Sequence, residues 1–217
     1  MLSCPSIAMG KLFLIRHGEV TWNKQACYTG WTDLPLTENG IRQAEAVAER
    51  LREESLDAVY CSDLQRARVT AEVIAGTHGQ NAIADQDLRE LNYGEWEGVE
   101  EARLPELFPE VYAAWKESPA SVPAPEGESF SQLRDRVARA MSRIMAAHPD
   151  GVVAVVAHKS ANRVMLCEWM GVDINLYKRI GQGNAAINTV IYGPDRVQIE
   201  TINDTCHLSE ALVTGGD

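Results

Sequence analysis

The chain has 217 residues, 45% hydrophobic and 24% charged, a composition that fits one large globular domain and excludes a disordered or fibrous chain. With 31 acidic residues against 20 lysines and arginines, its net charge is -11, which argues against partners that need a positive field, nucleic acid and anionic membrane surfaces among them. The same charge weighs against a phosphorylated ligand only as a whole-surface quantity; it says nothing about the field inside one pocket.

No apolar run approaches the roughly 18 residues of a membrane span; the longest, Val152 to Ala157, has six. The N-terminal MLSCPSIAMGK has neither a basic region nor a long apolar core, so it does not read as a secretory signal. Residues 1–10 read instead as a flexible extension ahead of one domain over 11–217. Five scattered cysteines (Cys4, Cys27, Cys61, Cys167, Cys206) without a C-x-x-C pair argue against a zinc site or a disulfide framework. They favour a reducing, cytoplasmic compartment, with most of them acting as small buried hydrophobes.

In chain order, KLFLIR (11–16) predicts a buried strand ending at His17-Gly18. Thr37 caps a helix running to about Ser55, with Ile41, Ala44, Ala48 and Leu51 inward. Ala58–Cys61 is a second strand, and Ser62-x-x-Gln65 is a capping box opening a helix with Leu64, Ala67, Ala71 and Ile74 inward. Residues 95–127, rich in proline, form an insertion with one or two short helices over the sheet. Its acids (Glu95, Glu97, Glu100, Glu101, Glu106, Glu110) read as a solvated face, or else as a fence that repels highly charged substrates. A second box, Ser129-x-x-Gln132, opens a long helix with Leu133, Val137, Met141, Ile144 and His148 inward. Val152–Ala157 is the most apolar strand and ends on His158; a helix over 160–170 stops at Gly171. Residues 186–192 and 196–202 form a hairpin turning at Gly193-Pro194-Asp195. Alternating strands and helices predict an α/β fold, a three-layer α/β/α sandwich around a mostly parallel sheet. Its site lies beyond the carboxyl ends of the strands.

Two histidines, His17 and His158, stand at such ends. Arg16 adjoins the first, and Arg66 sits in the first turn of a helix, where backbone N–H groups already favour an anion. Two guanidiniums and two imidazoles together suit a phosphoryl group. Arg16 and Arg66 disfavour a charged imidazole, which keeps His17 available as a nucleophile. Glu90, in the apolar LRELNYGEWEG, is the candidate proton donor to a leaving alkoxide. His78, His148 and His207 have no such context and read as structural. Trp22 and Trp31 either pack or line a pocket.

Five further ordered blocks follow the string LIRHGEVTWN (14–23): YTGWTDLPLTENGIRQA, CSDLQRARVTA, LRELNYGEWEG, PEGESF and VAHKSANR. Together they resemble the histidine phosphatase superfamily in its phosphoglycerate-mutase-like branch. The resemblance implies that His17 is transiently phosphorylated while Arg16 and Arg66 hold the phosphoryl oxygens. His158 would stabilise the transferring group, and Glu90 would serve as acid and then base. It implies that Asn23 contacts phosphate, that Thr29 and Gly30 close over substrate, and that neither metal nor cofactor is needed. Departures point to the phosphatase side. Mutases of this branch carry E-R-H-Y-G where this chain has Glu90-Leu91-Asn92-Tyr93-Gly94, and they carry an arginine pair in a longer insertion. Here only 67 residues separate Glu90 from His158, and none are adjacent arginines. Lys159, where mutases have glycine, either reaches a substrate carboxylate or phosphate or points to solvent. The expected activity is hydrolysis of a small soluble phosphate ester. The alternatives are a cofactor-dependent phosphoglycerate mutase and, outside enzymes, a phospho-ligand-binding protein with a vestigial site.

Overall fold

Alternation within two short apolar runs decides the architecture. In β1 (Gly10–Arg16), Leu12 and Leu14 enter one hydrophobic cluster while Phe13 and Ile15 enter another, because successive side chains leave opposite faces of a sheet. After β2 (Ala58–Cys61) and β3 (Ala82–Ala84), β4 (Val152–Ala157) divides in the same way. Its Val153 and Val155 join the first cluster, and Ala154 and Val156 the second. A strand buried on both faces tolerates no polar side chain, which accounts for the unbroken VVAVVA. The strands β5 (Ile187–Gly193) and β6 (Arg196–Asp204) complete the sheet. The computed structural model describes residues 9–194 and 196–213, and among them six strands run in the order β3-β2-β4-β1-β5-β6. The first four are mutually parallel; β5 is antiparallel to β1, and β6 to β5.

Helices cover both faces. After the single turn of α1 (Thr21–Lys24), α2 (Glu38–Leu51) and α3 (Gln65–Thr77) bury Val47, Leu51, Ala71 and Ile74 in the second cluster. The insertion contributes α4 (Leu104–Leu107) and α5 (Pro109–Glu117), each opening with a proline in its first turn. On the opposite face α6 (Phe130–Ala147) and α7 (Lys159–Met170) bury Leu133, Val137, Val164 and Met165. The result is the expected three-layer α/β/α sandwich. Within the insertion, Trp96 and Trp115 are fully buried and meet edge to face at 5.4 Å, so this segment extends the first cluster.

The caps at Thr37 and Ser129 form as predicted, and Gly171 ends α7 in the left-handed conformation. Three expectations shift. Ser62 does not cap α3: the helix begins at Gln65, whose N–H donates to Asp33 Oδ1 at 2.7 Å, a partner 32 residues away. Ile41 is 42% exposed, because the buried face of α2 is centred on Ala44, Val47, Ala48 and Leu51 with Gly40 and Gln43 beside them. His148 caps α6 only partly buried, its Nε2 3.0 Å from the Tyr60 hydroxyl. Of the 1–10 extension, residues 1–8 lie outside the described residues, and Gly10 already belongs to β1. The hairpin forms, with Asp195 of its turn outside the described residues. Cys61 and Cys167 are buried, Cys27 is half-buried and Cys206 exposed; Cys4 lies outside. No helix among the described residues is long and apolar enough to cross a membrane.

Candidate active site

Register brings the two histidines together. Arg16 pairs with Ala157 across the parallel β1–β4 ladder, so the residues that follow, His17 and His158, leave the sheet side by side. Their ring centroids are 5.0 Å apart. His17 Nδ1 lies 2.6 Å from the Gly18 carbonyl oxygen. A carbonyl only accepts, so Nδ1 carries the proton and Nε2 keeps the lone pair. That carbonyl is itself held in place. The Gly18 N–H donates to Thr70 Oγ1 at 3.2 Å, and a β-carbon at Gly18 would collide with the Gly40 backbone.

Both imidazoles are kept neutral. Burial, then the Arg66 and Arg16 charges, hold His17 well below the ordinary 6.5, against a smaller opposing effect of the Gly18 bond. Burial and then Arg66 do the same to His158, with smaller contributions from His17, Arg136 and Arg16. His17 Nε2 therefore stays unprotonated at pH 6.5. Any reaction that begins at this lone pair should show no loss of kcat/KM at 6.5 once the substrate's own ionisation is corrected for; a pH–rate profile falling with an apparent value of 6.5 contradicts this. Stability runs the other way. Unfolded imidazoles take up protons at 6.5 while the folded ones do not, so the midpoint in urea should drop as pH falls from 7.5 to 5.5.

The two arginines are fixed by backbone oxygens. Arg16 Nη1 donates to Gln182 O at 2.7 Å. Arg66 Nη1 and Nη2 donate to Thr32 O (2.9 Å) and Gly30 O (2.6 Å), while its Nε is buried with no hydrogen-bond partner among the described residues. Burial pulls Arg66 down to about 10, which leaves it charged at neutral pH. Gly30 has φ +52°, and a β-carbon there would strike the Glu97 carboxylate. That carboxylate accepts from Trp31 N, Thr32 N and Thr32 Oγ1 at 2.6–2.8 Å and so locks the loop that carries Thr29 and Gly30. Glu97 is thus a structural anchor, and the expectation of a purely solvated acidic face fails there. Glu101 stays partly exposed and pairs with Lys178 Nζ at 3.0 Å.

Glu90 is buried, with Oε1 accepting from Leu91 N at 2.7 Å and Oε2 from Ser160 N at 3.1 Å. His17, Arg16, Arg66, Glu90, Asn23, Thr29, Gly30 and Lys159 all line one cavity of about 230 Å³. Asn23 Oδ1 accepts from Val20 N and from Asn184 Nδ2, which ties it to the His17 segment. His158 is fully buried beside His17, their ring centroids 5.0 Å apart, and neither of its ring nitrogens has a hydrogen-bond partner among the described residues. Trp22 lines the cavity; Trp31 is partly exposed and donates through Nε1 to the Glu90 carbonyl oxygen at 2.8 Å. Asn184, Arg163, Tyr93 and Tyr177 line it as well and were not anticipated. Arg163 and Tyr93 fall within the blocks VAHKSANR and LRELNYGEWEG, whereas nothing local marks Asn184 or Tyr177 in the sequence. Among the described residues no group of three or more His, Cys, Asp or Glu is disposed to hold a metal ion.

A sheet-end cavity with a neutral imidazole between two guanidiniums, and a carboxyl group in the same lining, defines an α/β protein that handles phosphoryl groups. The chain belongs to the histidine phosphatase superfamily (branch 1), whose family model matches residues 12–205. It is 34% identical over 205 residues to phosphoserine phosphatase 1 of Hydrogenobacter thermophilus, covering 94% of this chain and 97% of that one. It is 32% identical over 212 residues to phosphoglycerate mutase-like protein 4 of Arabidopsis thaliana, covering 92% and 87%. The structure of phosphoserine phosphatase from Entamoeba histolytica in complex with 3-phosphoglyceric acid superimposes with a TM-score of 0.83 at 28% identity, covering 92% of this chain and 100% of that chain.

Proposed function

We infer that the chain is a phosphomonoesterase that hydrolyses a small phosphate ester through a phosphohistidine on His17. The observation that carries this is the tautomer: Gly18 O holds the proton on Nδ1, and Nε2 is left as a neutral nucleophile beside Arg16 and Arg66. The arginines bind the phosphoryl oxygens, and Nε2 attacks phosphorus as the bond to the leaving oxygen breaks. The Glu90 carboxyl supplies the proton to that oxygen. Its carboxylate then takes a proton from water, whose oxygen attacks phosphorus, breaks the P–N bond and releases inorganic phosphate. His158 and Arg66 Nε support this reading, because a buried donor without a partner costs about 1–3 kcal/mol unless a ligand engages it. Leucine at position 91, where mutases carry arginine, and the lack of an adjacent arginine pair between Glu90 and His158 support hydrolysis over mutase chemistry.

The preferred ester carries a carboxylate. Lys159 and Lys178 line the cavity beyond the arginines, and a substrate carboxylate competes with Glu101 for Lys178. Relatives named for phosphoserine are in keeping with this. A cytoplasmic site of action, favoured by the free cysteines, belongs to the same proposal. The test is phosphate release from phosphoserine, phosphoglycerate and glycerol phosphate, with alkaline trapping of labelled enzyme. An acid-labile, alkali-stable label on the chain is expected. Lys178→Met should raise KM for the two carboxylate esters about tenfold and leave glycerol phosphate unchanged. Isomerised phosphoglycerate without phosphate release would establish a mutase, and phosphate affinity without turnover a binding protein.

A further inference from the structure

Among the described residues the carboxyl of Glu90 accepts from two backbone N–H groups, of Leu91 beside it and of Ser160 on α7, so its aim depends in part on where the main chain of residues 87–92 lies. One side chain outside the cavity fixes that main chain. Arg136, on α6, is nine-tenths buried, and its guanidinium gathers three carbonyl oxygens of the segment. Nη1 donates to Asp87 O at 3.0 Å and Arg89 O at 2.6 Å, and Nη2 donates to Glu90 O at 2.6 Å. The first two belong to the end of a one-turn 3-10 helix (Gln86–Leu88) and the residue after it, where carbonyls lack partners of their own. Glu128 closes the other side. Its carboxylate receives Arg136 Nε at 3.1 Å and Nη2, and also the Asn92 N–H at 2.8 Å, while its own N–H donates to Asn92 O at 2.9 Å. The Arg136–Glu128 pair therefore grips both flanks of Glu90. Trp31 Nε1 shares the Glu90 carbonyl with Arg136, and Trp31 lies in the loop whose Gly30 and Thr32 oxygens hold Arg66.

We propose that Arg136, with Glu128, is a positioning residue for proton donation: it sets the Glu90 carboxyl on the leaving-group side of the cavity without touching substrate. The proposal rests on the assignment of Glu90 as the acid given above. Three carbonyls spread across four residues converge on one planar donor fork, a geometry that lysine, with a single ammonium, cannot reproduce. Misplacing a general acid by about 1 Å costs on the order of 100-fold. The loss should appear only where the leaving group needs a proton.

The experiment compares kcat/KM, which reports the chain up to phosphorylation of His17, for an alkyl ester such as glycerol phosphate and for nitrophenyl phosphate, whose phenolate leaves unaided. Arg136→Lys keeps the buried charge, and Glu128→Gln keeps the shape on the other side. Both should lose at least tenfold on the alkyl ester and less than threefold on the aryl ester, with inhibition by inorganic phosphate unchanged. The double variant Glu90→Gln/Arg136→Lys should be no slower on the alkyl ester than Glu90→Gln alone. Equal losses on both esters, weakened phosphate inhibition, or additive losses in the double variant would reduce Arg136 to a structural brace and overturn the proposal. If either variant fails to fold, the other carries the comparison. A Glu90→Gln variant that loses equally on both esters removes the acid assignment itself and the proposal with it, whereas a leaving-group effect in Glu90→Gln without one in Arg136→Lys removes only the proposal.

Discussion

Replacing His17 with alanine should lower phosphate release by at least about 10⁴-fold and abolish the alkali-stable phosphoryl label on the chain. The size follows from what is removed. No other described side chain of the lining combines a lone pair fixed by a backbone carbonyl with two flanking guanidiniums. The fold should survive, because His17 follows β1 and is not part of either hydrophobic cluster. Phosphate inhibition should persist through Arg16 and Arg66. Hydrolysis within tenfold of the parent chain would sink the phosphohistidine mechanism, whatever the substrate.

Glu90→Gln is expected to cost about 10²–10⁴-fold on alkyl esters and under tenfold on an aryl ester with a good leaving group. The substituted amide also sets an NH2 against one of the two N–H groups, Leu91 or Ser160, that the carboxylate now satisfies. A destabilisation of about 1–3 kcal/mol should accompany the variant, so the ratio between esters, which cancels the folded fraction, is the measurement that counts. A ratio unchanged from the parent chain would take the proton-donor role away from Glu90.

Much of this arrangement was legible in the residues because it is local. An apolar run of six with a histidine after it is a strand end wherever it falls, and Ser129-x-x-Gln132 caps itself. What the sequence hid is tertiary. The Ser62 box has the right spacing, yet Asp33, from a distant loop, takes the N–H at the start of α3. The strand β3 is three residues long, with Ala82 half-buried and Ile83 and Ala84 exposed, and has no periodicity of its own. Glu97 and Glu128 look like two more acids among 31, and Arg136 like one arginine in a polar helix stripe. Their roles exist only once α6, the insertion and the Gly30 loop are packed together.

The position of β1 has a consequence for how the chain reaches its working state. His17 follows a strand near the start of the chain, but both neighbours of that strand are made late: Lys11 pairs with Val152, and Gly10 with Tyr192. Ordering β1 requires loops of more than 140 residues to close, which makes folding slow and strongly non-local. During synthesis β2 and β3 can pair early, while β1 waits until β4 and β5 have emerged. The cavity therefore forms as one of the last events of folding, and a chain cut short before residue 152 has His17 but no pocket around it.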